Sequence, residues 1–232
     1  MVPMTVSTQN DFDRFGAPEV LALAVPIADD IRERVLSAIG IASEFDTLPI
    51  RQYGLSTLTA RGMVGTQGEH LAPTGAALAV SLLLADAHHG VVIMPEAESA
   101  GPGFMVLAGD QALLAVTRHP YGSFAFGVVG TGDPSAALDE VISQLFEAGD
   151  GSPITIASER FADGHARAFR LVKTPQGFAK HELESHVTGN EVNLEMTATE
   201  PLNDDQFMDL IDELLSRDDA DANVDGNQED QA

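Results

Sequence analysis

The sequence predicts an α+β fold, in which two strand-rich repeats build an antiparallel sheet, each repeat ends in an amphipathic helix, and an N-terminal helical region comes first. Three observations predict it. Two segments carry a clean 3.6-residue apolar stripe with helix start signals. Each is preceded by four β-rich runs. The runs are joined by turns too short for a parallel crossover.

The first helix spans Asp133–Ala148. Asp133 is a good N-cap, and Pro134 suits the first helical position, where a missing N–H costs little. Leu138, Val141, Ile142, Leu145 and Phe146 follow the spacing of one buried stripe, and Gly149 is placed to stop the helix. The second helix repeats this grammar. Asn203 caps, Asp204 and Asp205 favour the positive end of the dipole, and Phe207, Leu210, Ile211, Leu214 and Leu215 form the stripe. At roughly 1.5–3 kcal/mol per buried side chain, either stripe is a substantial part of the fold.

The runs before the first helix are His89–Met94, Phe104–Leu107, Ala112–Arg118 and Ser123–Val129. Those before the second are Ile154–Arg160, Ala166–Lys173, Gly177–Glu184 and Glu191–Thr199. Gly109-Asp110 and Thr174-Pro175-Gln176-Gly177 supply turn chemistry between paired runs. Phe104 lies 34 residues before Leu138 and Phe169 lies 38 before Phe207, so residues 89–149 and 154–216 read as quasi-repeats with a longer last turn in the second. The first 90 residues look mainly helical, with stretches at Ala28–Ile39, Tyr53–Arg61 and Thr74–Ala87, the last capped by Thr74. One domain is expected over residues 17–216, after a flexible N-terminus at 1–16. Residues 217–232 are almost wholly polar, cannot offset their ordering entropy by burial, and are expected to be a disordered acidic tail.

The net charge is −24, of which residues 200–232 carry −11 through twelve acidic residues and one arginine. The body is therefore acidic as well, and its only lysines are Lys173 and Lys180. Such a surface repels phosphate, which disfavours nucleic acid and anionic membrane as partners. Without cysteine there is no disulfide, thiol nucleophile or thiolate metal site. No signal-peptide pattern opens the chain, and the longest apolar stretch, Gly75–Ala85, is far short of a membrane span, so a cytoplasmic location is expected.

Catalytic and cofactor motifs are absent, so no catalytic, metal or cofactor residues are assigned. Gly130-Thr131-Gly132 matches the start of a dinucleotide loop, but no third glycine follows, and Asp133 and Pro134 are wrong for a pyrophosphate. His88 and His89 are adjacent and are expected to diverge. Glu182, Glu184 and His186 alternate along a strand, which puts them on one face, the best metal-like grouping in the chain and also the pattern of a solvated face. There is no G-x-S-x-G, H-E-x-x-H or P-loop. Leu55–Val64 followed by Leu71–Gly75 has the cadence of a winged helix-turn-helix, which leaves a transcriptional regulator as one alternative and an enzyme without a recognisable motif as another. Only Arg51, just before that stretch, and Arg61 within it could reach phosphate.

The segment Leu58-Thr59-Ala60-Arg61-Gly62-Met63-Val64, the helix Gly75–Asp86, Val91-Val92-Ile93, Phe104–Leu107, the hairpin Gly109-Asp110-Gln111-Ala112-Leu113-Leu114-Ala115-Val116 and the helix Ala136–Leu145 together resemble the EspG family of type VII (ESX) secretion-associated proteins. The resemblance runs over roughly residues 20–215 and is one of pattern and order. It implies a non-enzymatic cytosolic chaperone with a quasi-two-fold α+β fold. Such a protein binds the hydrophobic tip of a helical-bundle substrate, typically the PPE member of a PE–PPE pair, and needs no cofactor. The short N-terminal portion and the acidic tail depart from the family pattern. On this reading, binding falls on the sheet face and the loop Glu96–Gly103, with Glu96, Glu98, Pro102 and Phe104 as candidate partner-binding residues. Reversing Glu96 and Glu98 to lysine is then expected to weaken partner capture without changing the melting point.

Overall fold

The computed structural model describes residues 14–68, 70–101, 103–188 and 191–216. The expected flexible N-terminus, almost entirely, and the expected acidic tail lie outside these residues.

The chain opens with a two-residue strand, β1 (Phe15–Gly16), and a short helix, α1 (Ala17–Leu23). Pro18 lies in the first turn of α1, and Glu19 Oε2 accepts from the Gly16 N–H at 2.8 Å, which satisfies a donor that has no helical partner. Helix α2 (Asp29–Ala38) buries Val35 and Leu36. Helix α3 (Leu48–Ala60) starts five residues before the expected Tyr53, because Pro49 occupies the first turn and Thr47 stands in extended conformation before it. A two-stranded hairpin follows, β2 (Val64–Gln67) and β3 (His70–Pro73), and then α4 (Gly75–Asp86), with Thr74 as N-cap.

The remaining elements are β4 (His89–Pro95), β5 (Phe104–Ala108), β6 (Ala112–His119), β7 (Ser123–Thr131), α5 (Pro134–Ala148), β8 (Ile154–Arg160), β9 (Ala166–Thr174), β10 (Gly177–Thr188), β11 (Glu191–Leu202) and α6 (Asp204–Leu215). The fold is thus α+β with a large antiparallel sheet. The nine strands run in the order β1-β7-β6-β5-β4-β8-β9-β10-β11, antiparallel at every pairing. Strands β4 and β8, each the first of its run, meet at the centre, with Ile93 opposite Ile156.

Two cores lie on opposite faces of this sheet, as alternation along a strand requires. Val106 and Leu113 belong to one, and their neighbours Leu107 and Leu114 belong to the other. Helices α5 and α6 cover the first face, and both expected stripes are buried throughout. Phe178 of β10 joins the two helices. Its ring lies 4.3 Å from that of Phe207 and 5.4 Å from that of Phe146, measured between centroids. The second face is covered by α1, α2 and α4 through Leu21, Val35, Val80 and Leu84, packed against Leu107, Val116 and Phe126. Among the described residues, no helix is long and apolar enough to cross a membrane.

Candidate functional site

The cover on the second face stops at the middle of the sheet. Residues opposite one another on paired strands share a face, which allows its side chains to be followed from strand to strand. One row runs Phe126, Val116, Met105, Val92, Ala157, Ala168 from β7 to β9. Phe126 and Val116 lie beneath the N-terminal helices, whereas among the described residues none of β8 to β11 joins that core. The next row is Met94, Thr155, Arg170, His181 and Thr199, and a third is Val172, Ala179 and Pro201. The apolar surface that α1 and α4 bury on one half of the sheet therefore continues onto the other half without a helix over it. Its floor is mostly small side chains, crossed by Arg170 and His181. Met94 and Met196 stand on it 43% and 61% exposed. Two flexible, polarizable thioethers over an alanine and threonine floor form a surface that can repack against different apolar shapes.

Among the described residues, charge on this face is paired. Arg170 Nη2 donates to Glu96 Oε2 at 2.9 Å while its Nε donates to the other carboxylate oxygen, a two-point pair. These hydrogen bonds hold the Glu96 carboxyl below its ordinary range and raise the Arg170 guanidinium. A lowered carboxylate contributes stability at neutral pH that is lost only as pH falls through its folded value. At one margin, Arg34 of α2 reaches Glu159 at 3.3 Å. On the outermost strand pair, Thr199 Oγ1 lies 2.9 Å from His181 Nδ1.

The structure brings the sequence-selected loop to the end of this face and gives it more order than a mobile acidic connection. Glu96 N–H donates to the Pro153 carbonyl at 2.9 Å, and Glu98–Ala100 form a 3-10 turn that buries Ala100 near α5. Glu96 lies at the margin of the uncovered face, while Glu98 sits on the turn. Phe104 pairs with Ile93 and packs into the α5–α6 core instead. Pro102 lies outside the described residues. Because Glu96 holds Arg170, a lysine there faces a guanidinium, so its reversal changes stability as well as surface charge. Glu98→Lys is the cleaner variant.

Other sequence features resolve differently. His88 and His89 meet instead of diverging, with Nδ1 atoms 2.7 Å apart and His88 Nε2 3.2 Å from Asp110 Oδ1. Strand β4 begins only at His89, so strict alternation does not yet govern His88. A donor Nε2–H on His88 toward Asp110 leaves its Nδ1 to accept from His89, a consistent neutral arrangement. In the Gly130-Thr131-Gly132 turn, a side chain at Gly130 would collide with Ala137 of α5, and Gly132 has φ +92°. Asp133 Oδ1 accepts from Ala136 N–H at 3.0 Å and so occupies the helix N-terminus itself. Among the described residues no group of three or more His, Asp or Glu is placed to hold a metal ion. Of the alternating trio, the Glu182 carboxylate is engaged by Lys180 at 2.9 Å, and the side chains of Glu184 and His186 lie outside what is described.

The winged-helix cadence does correspond to a helix, a hairpin and a helix, namely α3, β2–β3 and α4. Its cations are committed elsewhere. Arg51 Nε lies 3.0 Å from Asp46 Oδ1, and Asp46 is shared with Arg32. Arg61 donates to Glu19 at 2.8 Å and lies over the Phe15 ring. Binding DNA phosphates through these arginines would require breaking both pairs. Comparison of the chain with protein-family models and with curated proteins gives no match.

Proposed function

We propose that this chain is a non-enzymatic protein-binding factor, a cytosolic chaperone that holds a helical-bundle secretion substrate of the PE–PPE type on the uncovered half of its sheet. The observation that carries the reading is the apolar floor running from Val92 to Ala168 with no helix over it, bordered by Met94 and Met196. An antiparallel sheet can leave one face to water, but an apolar stretch bordered by two exposed methionines is the kind of patch that marks a binding surface. The resemblance of the sequence to the EspG family supplies the class of partner.

We also read residues 89–149 and 154–216 as a duplication. Its support is the mirrored strand order 7-6-5-4 and 8-9-10-11 about the β4–β8 pair, each half followed by a helix. On that reading the N-terminal helices cover one repeat, and the partner takes the equivalent place on the other.

Co-expression with PE–PPE pairs of the same genome, followed by size-exclusion chromatography, tests the proposal. The wild type is expected to co-elute with one pair and keep it soluble. Ala168→Glu and Met196→Glu should each abolish co-elution while leaving the melting point within about 2 °C, because surface substitutions cost little. Co-elution that survives both substitutions refutes the sheet face as the site, and failure of every pair to co-elute refutes the substrate class.

A further inference from the structure

A second apolar surface lies at the other end of the sheet, independent of the uncovered face. It is a groove of about 650 Å³ between α1, the segment after α2, α3 and the β6–β7 turn. Leu21, Ile41 and Phe124 form buried parts of its wall. Its mouth carries Phe45, Tyr53 and Arg118, and Leu48 is exposed nearby on α3.

Three features point to an occupant. The aromatic side chains at the mouth are more than half exposed, Phe45 at 52% and Tyr53 at 63%. A small ligand inside the groove would leave them wet, whereas a protein surface laid across the mouth buries them, and tyrosine and arginine are the side chains that anchor such contacts. The second feature is the β6–β7 turn. Tyr121, beside the lining residue Gly122, holds φ +64° and ψ +27° while its side chain is fully exposed. Gly122 follows at φ +66°, so both residues make the three-residue reversal between β6 and β7, and the turn holds the Tyr121 ring out beside the groove with no packing partner of its own. The third is charge. Eight of the eleven described lysines and arginines hold a carboxylate, as expected where acids outnumber bases threefold. Arg118 at the mouth, its guanidinium lying against Gly40, holds none among the described residues.

We infer that the groove docks an amphipathic helix of a protein partner. An aliphatic or aromatic side chain of that helix enters between α1 and α3, and a carboxylate three or four residues away pairs with Arg118. That spacing places the anchor and the acid on one face of the partner helix. A single carboxylate is the fitting complement, because an acidic run would be repelled by the net charge of −24. Tyr121 closes over the docked helix from the β6–β7 turn.

The test uses the full chain and two fluorescent helical peptides. One carries Leu and Phe anchors with a glutamate four residues on, and the other replaces that glutamate with lysine. The glutamate peptide is expected to bind in the micromolar range and the lysine peptide at least tenfold more weakly. Arg118→Glu should invert that order, Ile50→Glu, in the α3 wall of the groove, should abolish both, and Tyr121→Gly should weaken binding while raising the melting point. An inverted order cannot come from a misfolded variant, so it supports the site specifically. Absence of binding by both peptides overturns the inference, as does equal binding of the two or indifference to Arg118. Displacement of the glutamate peptide by dodecanoate at lower concentration would give the groove to a small amphiphile. A concentration-dependent rise in mass that Ile50→Glu removes would give it to a second copy. Either result also overturns the proposal.

Discussion

Gly54 offers a test in which two known effects of one methyl group oppose each other. In a solvated helix, Gly→Ala stabilises by about 1 kcal/mol, through reduced backbone entropy. Gly54 lies inside α3, where α1 crosses it. A Cβ placed there would stand 1.8 Å from the Pro18 carbonyl oxygen and 2.3 Å from its carbon. Those atoms are backbone, so no rotamer change relieves the clash. Helix α1 would have to withdraw from α3, loosening Leu58 from Val20 and Leu21 and pulling Glu19 away from Arg61. Overpacking of this kind costs about 1–3 kcal/mol or more. Loss of the α1 contacts pushes the value to the upper end, so about 2 kcal/mol of net destabilisation remains after the propensity gain. For a chain of this size that is a fall of about 4–8 °C in melting temperature. Calorimetry and urea unfolding give the two readings. Ser56→Ala, on the exposed side of the same helix, is the control and should be neutral or stabilising by about 0.5 kcal/mol. A Gly54→Ala protein as stable as the wild type would mean that α1 does not pack on α3 as described, and the wall of the apolar groove would fall with it.

Two further outcomes follow from the helix termini. Burial first, and then the nearby Asp204 and Glu140 charges, raise the Asp139 carboxyl above its ordinary value. A raised folded value favours the fold only while the group is protonated, and that benefit disappears as pH climbs through it. Asp139→Asn should therefore stabilise by about 0.5 kcal/mol at pH 7 and make no difference near pH 3, read from paired thermal melts. At α6, Asn203 Oδ1 accepts from Gln206 N–H at 2.9 Å, and Gln206 Oε1 accepts from Asn203 N–H at 3.0 Å. Asn203→Ala should cost about 1 kcal/mol, or about 2–4 °C, and Asn203→Ser should recover most of it. An alanine variant that melts with the wild type would show that the cap contributes nothing to α6.

The elements that were legible in the sequence are those whose signals are local. The α5 and α6 stripes, the bounds Ile154–Arg160 of β8 and the turn at Thr174–Gly177 follow from side-chain period and turn chemistry alone. The early start of α3 had a signal in Pro49, outweighed by the weak apolar period around it. Helix α1 has seven residues, too few for a stripe to repeat, and β1 has two. The sheet order rests on the β4–β8 pairing, which is made across α5 and leaves no mark in either strand. The uncovered face is the least legible of all. Met94, Thr155, Arg170, His181 and Thr199 become neighbours only through four strand pairings, and none is unusual in its own segment. Glu96 was found by its loop, but its bond to Arg170 depends on that same register.

The acidity and the two apolar surfaces belong to one physical arrangement. Most cations are spent inside the chain, on Asp46, Glu19, Glu159, Glu96 and Glu213, so the remaining unpaired charge is mostly carboxylate. Like-charged copies repel at long range, which opposes association through exposed apolar patches. Among the described residues of the uncovered half, the charges are ion-paired, Arg170 with Glu96 and Glu159 with Arg34, so they cancel locally. A partner without a strong negative field can approach that floor, whereas a second copy of the chain meets the full repulsion first. The charge therefore leaves the contact energy unchanged and discriminates between partners on approach. On the proposed reading, two exposed binding surfaces rely on that discrimination to avoid self-association.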